Sequence, residues 1–175
     1  MVSLPAGRQE YRGGRMAKIS ILMGSESDLD TVKEAINVLR EFKVDFEVKV
    51  LSAHRTPKEV AQYVESAPKG GTKVFIAAAG MSAALAGVVA AHTILPVIGI
   101  PIETKNLKGL DSLLSTVQMP PGVPVACMSI GKAGAKNAAL FALAILGIND
   151  AKISAQLVNY KKQMRLRIKQ TKIKS

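Results

Sequence analysis

Five short apolar runs, each followed by residues at helical spacing, constrain this chain more than any other feature. The runs are Lys18–Met23, Asp45–Leu51, Lys73–Ala78, Pro96–Ile100 and Val125–Ile130. After the first comes Asp30–Phe42, with Val32, Ala35, Ile36 and Leu39 on one face, and after the second Pro57 to about Ala67, with Val60, Ala61, Val64 and Ala67 aligned. The small-residue segment Ala83–His92, the short Leu110–Val117 and the alanine-rich Gly134–Leu146 complete the series. Continuously apolar strands are buried on both faces, and strands that alternate with helices pair in parallel. The expected fold is therefore α/β, a three-layer doubly wound parallel sheet with a C-terminal helix.

The ends read differently from the middle. Met1–Arg15 lacks periodicity and precedes a second methionine, so residues 1–15 read as a disordered leader or a mis-assigned start, and residues 16–150 as the catalytic α/β domain. Residues 151–175 form a basic C-terminal helix and tail whose apolar stripe (Ile153, Leu157, Tyr160, Met164) calls for a partner surface. The small residues of Ala83–Ala91 and Ala138–Ala144 look too apolar to face water and favour contacts between subunits.

A formal charge of +11 invites a nucleic-acid reading, but its location argues against one. Residues 151–175 hold eight Lys or Arg and no acid, whereas 16–150 hold 13 basic and 12 acidic residues. The body is nearly neutral and offers no aromatic platform for bases. Cys127 is the only cysteine, which excludes an internal disulfide and a cysteine metal cluster and suits a reducing compartment. With no apolar stretch near the roughly 18 residues of a membrane span, and no signal-peptide core, the chain reads as cytoplasmic.

In open parallel sheets ligands bind beyond the carboxyl ends of the strands. Three loops there carry the chemistry: Gly24-Ser25-Glu26-Ser27-Asp28, Ser52-Ala53-His54-Arg55-Thr56-Pro57 and Ala79-Gly80-Met81-Ser82. In the second, Thr56 with Glu59 three residues on predicts a capping box, and Pro57 suits the first helical position. Arg55 beside that helix start offers a fork suited to phosphate. His54 is the natural acid–base group, since an imidazole titrates near neutrality. His92, at the end of an apolar helix, reads as a C-terminal or interface residue, and two histidines without clustered carboxylates make no metal site. No Walker loop, no dinucleotide fingerprint and no serine nucleophile elbow is present. Two later stretches remain open: the proline-stiffened Gln118–Val125, as a pocket wall, and Gly131–Asn137, as an anion contact or an ordinary helix start.

Four motifs in this order, Met23–Asp28, Ser52–Pro57, Gln118-Met119-Pro120 with Gly122–Val125, and Gly131–Ala139, resemble the 5-(carboxyamino)imidazole ribonucleotide mutase family of purine biosynthesis. The resemblance spans about Lys18 to Gly147. It implies a flavodoxin-like homo-octamer that moves a carboxyl group from an exocyclic amine to the adjacent ring carbon of a ribonucleotide, without ATP, metal or organic cofactor. It makes Ser25 and Asp28 substrate contacts, the latter on the ribose, gives the phosphate to Ser27, Ser52 and Arg55, and makes His54 the proton carrier. Ala79, Gly80 and Met81 are expected to cover the reacting group. One departure is that many members have a histidine followed by Leu-Pro-Gly where this chain has Ala84-Leu85-Ala86-Gly87. A sister branch, aminoimidazole ribonucleotide carboxylase, uses free carbon dioxide and tends to have lysine where this chain has Arg55. Outside the family, the alternative is a phosphate-sugar or RNA-binding module acting through Lys152–Lys174.

Overall fold

A computed structural model describes residues 18–171. Five parallel strands, β1 (Ile19–Met23), β2 (Phe46–Val50), β3 (Val74–Ala79), β4 (Val97–Pro101) and β5 (Ala126–Cys127), form one sheet in the order β2-β1-β3-β4-β5. Between and after them lie α1 (Leu29–Glu41), α2 (Pro57–Ser66), α3 (Leu85–Ala91), α4 (Leu110–Val117), α5 (Gly131–Gly147) and α6 (Ala151–Gln170).

Side-chain alternation along the strands builds the two cores. Ile19, Ile21 and Met23 of β1 join Val74, Ile76 and Ala78 of β3 and Ile98 and Ile100 of β4 against α1 and α5. On the opposite face Leu22, Phe75 and Ala77 pack with Val60 and Val64 of α2 and Leu85, Ala86 and Val89 of α3. The connection from β1 runs outward to β2, and the chain then returns past β1 to β3. With right-handed crossovers this puts helices on both faces and opens a crevice between the carboxyl ends of β1 and β3.

Several expectations are corrected. The fifth strand is two residues long rather than six. Gly99 O accepts from Met128 N and Ala79 O from Ile102 N, so alternate residues of β4 face opposite neighbours. Pro101 then falls on the β5 side, where it has no N–H to donate, and the ladder stops. Helix α5 begins at Gly131, not Gly134, because Gly131 turns the chain at φ +74°. Most of its alanines are used within the chain: Ala135, Ala138, Ala139 and Ala142 are buried in the core, where their size brings α5 close to α1, while Ala144 and Phe141 are exposed. The stripe on α6 is likewise met from within for part of its length. Ile153 is buried, and Tyr160 lies against Phe42 with ring centroids 5.9 Å apart, whereas Met164 is exposed. Among the described residues no helix is long and apolar enough to cross a membrane. Residues 1–15 lie outside the described part of the chain.

Candidate functional site

The loops after β1, β2, β3 and β4 enclose a cleft of about 950 Å³ at the carboxyl edge of the sheet. That is ample for a small-molecule ligand. Ser25, Ser27, Asp28, Ser52, His54, Arg55, Ala79, Gly80 and Met81, all expected from the sequence, line it together.

Local chemistry fixes the first loop. Ser25 Oγ accepts from Ser27 N at 3.3 Å and from the Ser27 hydroxyl at 2.9 Å, while the Asp28 carboxylate accepts from Ser25 N at 3.2 Å. The reciprocal capping expected at Thr56 is thus found here instead. Asp28 is buried, which pushes its carboxyl above the usual range. Its hydrogen bonds from Ser25 and Ser27 and the charge of Arg55 pull the other way without cancelling the burial.

The second loop is held by a different device from the one expected. Thr56 stands at the N-cap of α2, as expected, but its side chain makes no cap hydrogen bond. Its hydroxyl donates to Ser52 O at 3.1 Å and accepts from Ser52 N at 2.9 Å, folding the six residues back on themselves. The turn at Ser52 holds the Thr56 hydroxyl toward the strand end and away from the α2 amides, and the capping box is lost. Pro57 does open α2. Arg55 reaches over to the loop after β1: Nη2 donates to Gly24 O at 2.8 Å, while Nε donates to Ser52 Oγ at 3.3 Å. The guanidinium therefore links the first two loops, and His54 stands exposed beside it in the cleft.

In the third loop Met81 adopts φ 57° and is 71% exposed, an unusual conformation for a long side chain and one that sets it over the cleft. Ala84, where the resemblance leads to the expectation of a histidine in many members, also lines the cleft and brings no titratable group.

The sequence reading missed the fourth wall, Glu103 to Leu107 with Asp111. The rule that singled out the first three loops applies equally to the polar stretch after β4 and would have found it. Conversely, neither Gln118–Val125 nor Gly131–Asn137 lines this cleft. Met119 packs its sulfur toward Gly87 on α3, and Lys132 pairs with Asp30 at 2.9 Å, so the second stretch acts as a helix start. His92 sits apart, with Nδ1 3.0 Å from Glu65 Oε1 in a shallow depression of about 480 Å³. Among the described residues no three His, Cys, Asp or Glu side chains are grouped to hold a metal.

The sequence profile of the family described as AIR carboxylase matches residues 18–167. The chain belongs to the AIR carboxylase family. Relatives named N5-carboxyaminoimidazole ribonucleotide mutase include that of Pyrococcus abyssi, 55% identical over 150 residues, 86% of this chain and 85% of that protein. The Saccharolobus solfataricus protein of the same name is 49% identical over 160 residues, 91% of this chain and all of its own length. That of Bacillus subtilis is 54% identical over 139 residues, 79% of this chain and 86% of the relative. In three dimensions the family likeness extends to Treponema denticola PurE, whose crystal structure aligns with a TM-score of 0.78 at 27% identity, covering 86% of this chain and 92% of that one.

Proposed function

We propose that this AIR carboxylase family member is an N5-carboxyaminoimidazole ribonucleotide mutase of de novo purine biosynthesis, an isomerase that moves a carboxyl group from the exocyclic nitrogen to the neighbouring ring carbon. The observation that carries the reading is the convergence of the three expected loops on one cleft in a chain about half identical to proteins of that name.

Arg55 and Ser52, already joined at 3.3 Å, take the phosphate with Ser27, and Ser25 and Asp28 contact the substrate, Asp28 on the ribose. His54 protonates the carbamate nitrogen, and the nitrogen–carbon bond breaks to release neutral carbon dioxide. The ring carbon then attacks that carbon dioxide, and His54 takes the proton the ring carbon gives up, so one imidazole donates and then accepts. Neutral carbon dioxide is not held by charge. Ala79, Gly80 and Met81 keep it beside the ring, where confinement raises its effective concentration. The enzyme works as a homo-oligomer, an octamer by family resemblance. The row Leu107, Leu110, Leu114 and Val117, each 47–58% exposed and running from the cleft rim along α4, supports an assembled state.

The test is to incubate the protein with the carboxyamino substrate and, separately, with aminoimidazole ribonucleotide plus bicarbonate. Efficient turnover of the first is expected, and turnover only in the second would replace the mutase by the carboxylase.

A further inference from the structure

We propose that Lys105 is the second anion contact of the cleft and holds the carboxyl group that the reaction moves, an assignment that rests on the mutase reading above. The substrate carries negative charge at two separated places, the ribose phosphate and the carboxyl group. Arg55 stands on the loop after β2 and Lys105 on the loop after β4, and both line the cleft. The strand order puts β1 and β3 between them. Three interstrand spacings of roughly 4.8 Å separate the two strands by about 14 Å, so the cations rise from opposite walls.

The charge balance needs this lysine. Asp28, Glu103 and Asp111 also line the cleft, and Arg55 and Lys105 are its only Lys or Arg among the described residues. A carboxylate brought into that wall without Lys105 meets net repulsion. Asp28 accepts from Ser25 and Ser27, and Asp111 accepts from Thr104 Oγ1, at 2.9 Å to Oδ1. Glu103 is exposed, and no ion pair joins it to Lys105.

The backbone around Lys105 is braced, and its side chain is exposed. Thr104 O accepts from Lys108 N at 3.0 Å, and Thr104 Oγ1 accepts from Gly109 N at 3.3 Å. Ser112 Oγ, buried, lies 2.7 Å from Ile102 O and 2.9 Å from Gly109 O, tying the root of the loop to its end. Lys105 thus projects from a braced loop as a compact charge on a flexible stem. That suits a carboxylate that stands on the exocyclic nitrogen before the transfer and on the ring carbon after it, since a flexible lysine reaches both positions where a rigid fork does not.

Calorimetric titration of the full chain separates the outcomes. The ligands are 4-carboxy-5-aminoimidazole ribonucleotide and aminoimidazole ribonucleotide, which lacks the carboxyl group. Lys105→Ala is expected to bind the carboxylated ligand about tenfold more weakly and the other with unchanged affinity, with Lys105→Arg recovering part of the loss. Unchanged binding of the second ligand also reports an intact fold. Equal loss for both ligands makes Lys105 a phosphate contact and overturns the assignment, as does no loss for either. A wild-type chain that binds neither ligand overturns the mutase reading, and this assignment with it.

Discussion

Removing the Arg55 side chain tests the phosphate seat with little disturbance to the fold. A guanidinium has five N–H donors. Arg55 spends one on Gly24 O and one on Ser52 Oγ, which leaves three for a ligand. A net charged hydrogen bond is worth roughly 1.5–3 kcal/mol, so losing even one to the phosphate weakens binding roughly 10- to 150-fold. Arg55 is exposed, and Arg55→Ala should change folding stability by under about 1 kcal/mol. Because the phosphate is common to both ligands, the variant should weaken 4-carboxy-5-aminoimidazole ribonucleotide and aminoimidazole ribonucleotide by similar factors, unlike Lys105→Ala. Arg55→Lys keeps the charge but cannot reach Gly24 O and Ser52 Oγ at once, and should fall between. Titration calorimetry and thermal unfolding on the same samples give both numbers. Unchanged affinity in Arg55→Ala would refute the phosphate assignment, and a large loss of thermal stability would refute the view that the residue serves the ligand rather than the fold.

Two further outcomes follow from burial and packing. Burial raises the folded-state pKa of Asp28 above the ordinary 3.8, so the folded chain holds a proton there that the unfolded chain has already lost. Its stability penalty is therefore absent in acid, grows as pH rises through the window above 3.8, and is constant beyond the raised value. Asp28→Asn should be no less stable than wild type at neutral pH and lose any advantage as pH falls through that window, while turnover drops; thermal unfolding against pH checks the first part and initial rates the second. Gly134 has no room for a side chain, since a Cβ would strike the Ser129 carbonyl. Gly134→Ala should cost about 1–3 kcal/mol in urea unfolding, and an unchanged midpoint would contradict the packing at the start of α5.

Local pattern carried most of the architecture, because each strand and helix buries a face whose period is visible in the residues. Leu110–Val117 came out with the bounds its spacing predicts. What escaped was long-range. That Pro101 faces β5 depends on which neighbour each residue of β4 meets, and nothing in Val125–Ile130 itself announces the early end of the ladder. Thr56 has the right spacing from Glu59 for a cap, yet the turn at Ser52 competes for its hydroxyl and wins with two hydrogen bonds. At the site, the residue types of the first three loops were legible because serines, an arginine and a histidine at strand ends have a clear chemical meaning. The tie from Arg55 to Gly24 O, 31 residues away, and the wall contributed by Lys105 exist only once the sheet is assembled. The buried alanines of α5 show the reverse case. Smallness was legible, but for Ala135, Ala138, Ala139 and Ala142 the partner, α1, was inside the same chain.

The central claim is that His54 moves the proton, with no second imidazole lining the cleft among the described residues: Ala84, which lines it, brings no titratable group, and His92 is engaged with Glu65 elsewhere. The most direct measurement is the turnover of the carboxyamino substrate by His54→Asn, alongside its affinity for 4-carboxy-5-aminoimidazole ribonucleotide. The account predicts a fall in turnover of roughly 10²- to 10⁴-fold, the usual share of a positioned acid–base group, with affinity within a few-fold of wild type. Near-normal turnover in that variant would contradict it.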